Sequence, residues 1–303
     1  MDLKQVRYFL TVAEKGSISA AASVLHVAQS AISRQVRLLE EELGGPLFHR
    51  SITGVALTDS GQMFMERARF ILREVESATQ DVSNFHRGIR GFHRDVRGSV
   101  RMSSAPTVGQ ALHGLLALDF RHRFPQVRLQ LTESPTDDAL HRLSAGIIDM
   151  AIVSDPGNQE HTLFTPLMQQ EIALFCSPRS RLASRASVCA HELRKLPIII
   201  SVGLRHSLEA QHGAMQPVIL IDGTEGAAQL ARKDLGVAIM PSSVVRTSSI
   251  WQDLVAVPIR DFTVTRMLAV AKGRPLSLAA RVFRSAIEQQ IEQCIADGLF
   301  LPP

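Results

Sequence analysis

Two groups of side chains stand out for the chemistry that their types and spacing permit. The first is Gln29, Ser30, Ser33, Arg34 and Arg37. On a helix, neighbours at i, i+3 and i+4 lie along one face, so these five would share a surface. Amides, hydroxyls and guanidiniums in such a row suit the base edges and phosphates that a helix meets in a DNA major groove. The plain alternative is the solvated face of an αα-hairpin. The second group is Ser103, Ser104 and Thr107, around Ala105-Pro106. Hydroxyls and open N–H groups at a strand-to-helix turn make an anion-receptive corner. The same residues also serve as simple N-caps, and the local sequence does not choose between the two. Eleven histidines invite a search for catalysis, but GxSxG, HExxH, GxxxxGK[ST] and GxGxxG are all absent. His122 stands between Arg121 and Arg123 and reads as surface. No catalytic residue and no enzyme activity are expected.

The elements that would carry the first group follow from periodicity. Leu3, Val6, Phe9, Leu10 and Ala13 fall at helical spacing, and Gly16 stops that helix. Ser17 or Ser19 can cap a second helix, whose Ala20-Ala21-Ala22 lets another helix approach closely. A third begins at Gln29 with an apolar stripe at Ile32, Val36, Leu39 and Leu43, and Gly44 supplies its left-handed cap. Pro46–Arg50 and Val55–Thr58 then read as two short strands around a Gly-containing turn, a small wing. Arg50 at its base suits a phosphate contact.

Many residues at fixed spacing make this region specific. Asp2-Leu3-Lys4-Gln5-Val6-Arg7-Tyr8-Phe9, Gly16-Ser17, Ala21-Ala22, Leu25-His26, Gln29-Ser30-Ala31-Ile32-Ser33, Leu39-Glu40, Leu43-Gly44, Pro46-Leu47-Phe48, Arg50 and Leu57-Thr58-Asp59-Ser60-Gly61 form a nearly continuous run. It resembles the N-terminal signature of the LysR family of transcriptional regulators. The resemblance implies that Gln29, Ser33 and Arg34 lie at or near base edges, with Ser17, Ser30, Arg37 and Arg50 near phosphates. It implies double-stranded DNA and RNA polymerase as partners. Ala28 departs from the pattern, where many relatives have Ser or Thr; loss of that cap costs about 1 kcal/mol locally unless Gln29 or a phosphate compensates.

From Ser60 the chain reads helical for about seven turns, capped by Asp59 or Ser60. Phe64, Ala68, Ile71, Val75, Ala78, Val82 and Phe85 recur at intervals of 4, 3, 4, 3, 4 and 3. That is a heptad seam, and a second copy of the chain is its natural partner. The resemblance implies the same homodimer, paired again into a homotetramer. Between Arg87 and Arg101 a stretch rich in Arg, Gly and His reads as a hinge.

Beyond it, strand-like runs alternate with helical ones, as in an α/β domain with a largely parallel sheet. Phe120–Val127, Leu143–Ile152 and Gly236–Pro241 resemble the family's sensing domain, though less closely. The fold expected is therefore α+β and multidomain. A winged helix-turn-helix spans 1–58, a dimerisation helix 59–87 and a hinge 88–97. A two-lobed, periplasmic-binding-protein-like α/β domain spans 98–303, with lobe I at about 98–162 and 266–303 and lobe II at about 166–262. Cleft candidates are Ser103, Ser104, Thr107, Glu133, Ser154, Ser201 and Thr224, with Arg205 and Arg266 as counter-charges. The effectors implied by the resemblance are small organic or inorganic anions; Glu133 and Glu225 leave room for an amine. No other cofactor is expected.

Composition agrees with this frame and narrows it. The 303 residues suffice for two or three domains. A net charge of +4 permits an anionic partner without requiring one. Cys176, Cys189 and Cys294 are sparse and lack CxxC spacing, which argues against a disulfide framework or zinc site. Met1–Ala13 lacks the pattern of a signal peptide, and no apolar stretch is long enough to span a bilayer, so a cytoplasmic location without membrane contact is expected. A solute-binding protein would reverse these features, and an architectural DNA protein would not need so large a C-terminal domain.

Overall fold

The computed structural model describes residues 1–51, 54–86, 95–154, 156–157 and 159–303, with Arg50 described by its backbone alone. They form two compact units, the first Met1–Ser83 with Ala145–Ile147 and the second Asn84–Ser144 with Ile148–Pro303.

In the first unit, α1 (Leu3–Lys15) opens with a reciprocal cap. The Gln5 N–H donates to Asp2 Oδ1 at 2.7 Å, and the Asp2 N–H donates to Gln5 Oε1 at 2.9 Å. Gly16 closes α1 at φ 63. Ser17, of the two candidates, caps α2 (Ile18–Leu25) by accepting from the Ala20 N–H. α3 spans Gln29–Leu43 and begins at Ala28 with no side-chain cap. Phe9, Val12, Ala21, Ile32, Val36 and Leu39 close a small core among the three helices. Leu43, expected in that stripe, is 44% exposed; the last turn of α3 runs past the packed positions before Gly44 reverses the chain.

The wing is an antiparallel pair, β1 (Phe48–Ser51) and β2 (Gly54–Leu57), with Phe48 opposite Leu57. It is fastened from two sides. Glu40 Oε1 accepts from the Leu47 and Phe48 N–H groups, and the Val55 N–H donates to the Gly16 carbonyl. The next helix, α4 (Asp59–His86), is capped by neither expected residue. Thr58 takes that place, its Oγ1 accepting from the Gly61 N–H at 2.9 Å. Gly61 is required here, because a Cβ would overlap the Leu47 carbonyl oxygen and lie 3.0 Å from its carbon.

The head also claims the first two positions of the expected heptad seam. Ala68 is fully buried in its core, and the Phe64 ring meets Phe9 edge-on at 5.0 Å. Positions that the heptad assigns to a partner are thus covered from within. Farther along, Ile71 is half-buried, Ala78 is exposed, and Val75, Val82 and Phe85 are 40%, 55% and 64% exposed.

In the second unit, eight strands among the described residues form one sheet in the order β4-β3-β5-β10-β6-β9-β7-β8. These are β3 (Gly98–Ser104), β4 (Val127–Glu133), β5 (Met150–Ser154), β6 (Thr162–Cys176), β7 (Ile198–Ile200), β8 (Ile219–Leu220), β9 (Val237–Pro241) and β10 (Val255–Ala271). The helices are α5 (Pro106–Arg123), α6 (Thr136–Ser144), α7 (Val202–His212), α8 (Thr224–Arg232), α9 (Val244–Thr247) and α10 (Leu278–Ala296). Pairs β3–β4, β3–β5, β7–β8 and β7–β9 are parallel. Those of β10 with β5 and β6, and of β6 with β9, are antiparallel. The sheet is thus mixed where a largely parallel one was expected. The reason is that β6 and β10 are long antiparallel strands, paired from Thr162–Ala271 to Cys176–Val255 and running through both lobes.

Each lobe packs its own core on one half of these strands. Val100, Met102, Leu112, Phe120, Ile152 and Phe283 belong to lobe I, where Phe120 and Phe283 meet edge-on at 4.9 Å. Leu174, Phe175, Ile199, Ile239, Trp251 and Val257 belong to lobe II. The fully buried β5 and β9 are continuous apolar runs, as strands covered on both faces must be.

Candidate nucleic-acid interface and ligand cleft

On the head, Gln29, Ser30, Arg34 and Arg37 are exposed on α3, and Ser33 is half-buried. Ser17 is half-buried at the start of α2, where its hydroxyl also meets Ser19 Oγ at 2.8 Å. Arg50 lies in β1, but its side chain falls outside the described residues. A shallow surface joins Ser19, Ser23 and His26 to Ala28 and Gln29 at the start of α3. His26 holds the turn between α2 and α3 in a left-handed conformation, φ 54, which is costly for a residue with a Cβ. The uncapped N-terminus of α3 leaves N–H groups directed along its axis, a setting that favours an anion such as a phosphate.

In the second unit a narrow cleft, about 40 Å³ in volume, lies between the lobes. Five of the expected residues line it: Thr107, Ser154, Ser201, Thr224 and Arg266. They arrive from separate places. Thr107 stands in the first turn of α5, Ser154 ends β5, Ser201 caps α7, Thr224 opens α8 and Arg266 lies on β10. Arg266 is 2% exposed. Its Nη1 donates to Ser154 Oγ at 2.7 Å, its Nη2 to Thr107 Oγ1 at 3.3 Å and its Nε to Gln170 Oε1 at 2.7 Å.

The other four candidates are placed elsewhere. Ser103 and Ser104 are fully buried, and their hydroxyls meet Ser134 Oγ at 2.8 Å and His113 Nε2 at 3.0 Å. The expected corner therefore turns into the lobe, because β3 pairs with both β4 and β5 and its last residues pack beneath α5. Burial lowers the His113 pKa below its ordinary value of 6.5. Glu133 lies against Gly109 on α5, where burial raises its carboxyl pKa. Arg205 pairs with Glu209 one turn along α7, at 2.9 Å.

Sequence reasoning missed Thr136 and Asp222. Thr136 opens α6, and its Oγ1 donates to the Ser154 carbonyl at 3.2 Å and accepts from the Ser154 N–H at 3.3 Å. Its place after Pro135 was the available signal, since such residues start helices. Asp222 lines the lobe II side, and its Oδ1 accepts from the Val202 N–H at 3.3 Å. It supplies the carboxylate that was sought in Glu133 and Glu225. Its signal was the Asp222-Gly223 step before α8.

Among the described residues, no cluster of three His, Cys, Asp or Glu could hold a metal, and no helix is long and apolar enough to cross a membrane. Cys176 and Cys294 are buried, Cys189 partly so, and all three are free thiols. Burial raises the thiol pKa of Cys176 and Cys294.

A winged helix-turn-helix joined to a two-lobed α/β unit with a polar cleft defines a class: DNA-binding transcriptional regulators with an effector-binding domain. Residues 3–62 match the bacterial regulatory helix-turn-helix protein family, lysR type, and residues 93–292 match the LysR substrate binding domain. The chain belongs to the LysR family, whose members are transcriptional regulators and not enzymes. Regulators of this family bind DNA. The chain is 26% identical over 303 residues to the uncharacterized HTH-type transcriptional regulator YybE of Bacillus subtilis (strain 168), covering 95% of this chain and 98% of that protein. A full-length OxyR variant from Pseudomonas aeruginosa has a similar fold, with a TM-score of 0.73 at 21% identity over 97% of this chain and 95% of that one. Full-length CbnR in complex with its target DNA gives 0.69 at 24%, over 95% and 99%.

Proposed function

We propose that this regulator reads double-stranded DNA with α3 and is controlled by a small organic or inorganic anion bound between its lobes. Gln29, Ser33 and Arg34 face base edges, while Ser17, Ser30, Arg37 and Arg50 hold phosphates. CbnR, whose fold is similar, has been solved on its target DNA. Residues 1–58 serve as the reading head, 59–87 as the joining helix, 88–97 as the hinge and 98–303 as the sensor. Ile71, Val75, Ala78, Val82 and Phe85 form the dimer seam, now shortened by Phe64 and Ala68, which pack against the head's own core. Two such dimers pair into a tetramer, which contacts RNA polymerase in the cytoplasm. Sedimentation of Val75→Glu should give monomers; an intact dimer would remove the seam.

One observation carries the anion reading. The buried Arg266 guanidinium shares its cleft with the N-terminal turns of α5, α6, α7 and α8 at Thr107, Thr136, Gly203 and Thr224. A cation and helix N-termini together draw negative charge, and the sheltered cleft strengthens the attraction. Asp222 leaves room for a hydroxyl or amine on the same ligand. Binding then closes the lobes and resets the spacing of the reading heads on DNA.

Thermal unfolding of the full-length protein with acetate, succinate, benzoate, sulfate and phosphate tests this. A ligand that binds only the folded state raises the midpoint as its concentration rises above its Kd. The shift should disappear in Ser201→Ala and Thr224→Val. No shift with any of the five would sink the reading.

A further inference from the structure

The polar groups around Arg266 do not stop at the cleft wall. Gln170, 1% exposed on β6, accepts from Arg266 Nε through Oε1, while its Nε2 donates to Ser243 Oγ at 3.3 Å. Ser243, 5% exposed, stands between β9 and α9 in lobe II. On the far side, Arg266 reaches Ser154 and Thr107 of lobe I, both 8% exposed. A buried polar chain thus runs from the start of α5 in lobe I, through both crossover strands, to the start of α9 in lobe II.

The chemistry of the chain fixes its direction. A guanidinium only donates, so the Gln170 amide must present its oxygen to Arg266. Its NH₂ is then left for the Ser243 hydroxyl. Strand geometry supplies the approach: Met168 is the register partner of Arg266, and Gln170 is two residues along on the same face. The register shifts between Arg266 and Met267, and a bulge of that kind re-aims the adjoining side chain.

We infer that Gln170 is a positioning residue for the sensor, which holds Arg266 toward the cleft and ties that orientation to lobe II through Ser243. The inference rests on the cleft reading above. Gln170 is outside the cleft lining and reaches a ligand there only through Arg266. A ligand that draws the guanidinium forward pulls on the amide, and the amide pulls on the start of α9. Lobe II therefore feels the occupied cleft even where the ligand does not touch it.

The test uses the full-length protein with Gln170→Glu, Gln170→Met, Ser243→Ala and the double variant Gln170→Met/Ser243→Ala. The carboxylate of Gln170→Glu accepts from Arg266 and neutralises it. That variant should melt near the wild type yet bind succinate and sulfate at least about tenfold more weakly by calorimetry. Gln170→Met keeps the cation but loses its anchor, so it should melt lower and lose affinity only a few-fold. A residue that merely fills space would lose affinity in step with melting temperature; that outcome, or unchanged affinity in both variants, overturns the inference. The double variant should melt no lower than Gln170→Met alone, since the contact is lost only once, whereas additive losses overturn the tie to lobe II. If the wild type binds neither anion, the cleft reading falls, and the melting comparison still decides whether the lobes are tied through Gln170.

Discussion

The reading head and the sensor carry their chemistry in opposite ways. On the head, Gln29, Ser30, Arg34 and Arg37 are exposed, and one helix supplies all four. In the sensor, Thr107, Ser154 and Arg266 are nearly buried, and three elements up to 159 residues apart supply them. A surface that meets a long polyanion needs side chains within reach and tolerates their solvation. A cleft that meets a small molecule needs few groups, held stiffly and shielded from water. The difference shows what each region must protect: the head its backbone scaffold, the sensor its hydrogen-bond register.

The same contrast governs what was legible in the sequence. Helical spacing alone brings Gln29 to Arg37 onto one face, so the head could be read locally. Its errors were local too. Thr58 caps α4 in place of Asp59 or Ser60, and Phe64 and Ala68 serve the head's own core instead of a partner. The sensor's elements were legible where turns and apolar runs mark them, as at β5 and α8. Its central feature was not: β6 and β10 are long strands interrupted by polar residues such as Gln169, Gln170, Glu171 and Asp261, and their pairing is set by register across about 90 residues. Ser103 and Ser104 were natural cleft candidates by type, but β3 turns them inward. Gln170 gave no local signal, because its role depends on a bulge that only strand pairing creates.

The sharpest way to break the comparison is to disturb the scaffold of one region and watch the other. Gly61→Ala places a methyl group against the Leu47 backbone, which is itself tied to Glu40 and Thr58. Overpacking of this kind costs about 1–3 kcal/mol, and more where backbone is the obstacle. The head's unfolding transition in urea should fall by about 3 kcal/mol and DNA binding should weaken with it, while succinate or sulfate binding in the sensor stays as in the wild type. Loss of both together would show that the two regions do not keep separate scaffolds.

Within the head, Arg34→Ala and Arg37→Ala separate reading from holding. An operator selected from a random pool supplies the probe. Arg34→Ala should lose about 1–3 kcal/mol of preference for it over scrambled DNA, because a lost base contact removes discrimination. Arg37→Ala should weaken both duplexes alike and reduce the salt slope by about one. The reverse pattern would exchange their assignments, and no effect in either would move the reading face off α3.

The smallest effect concerns Ala28, the residue that precedes α3. The backbone there is already extended, φ −68 and ψ 141, as an N-cap requires, yet no side chain accepts from the first turn of α3. Ala28→Ser supplies the missing acceptor and should stabilise the head by about 1 kcal/mol in urea unfolding. Its consequence on DNA sharpens the contrast between the regions. If the bare helix start binds a phosphate, the serine hydroxyl competes for the same N–H groups, and affinity for all duplexes should fall slightly as stability rises. If affinity rises with stability instead, the helix start holds no phosphate, and Ala28 is only a missing cap.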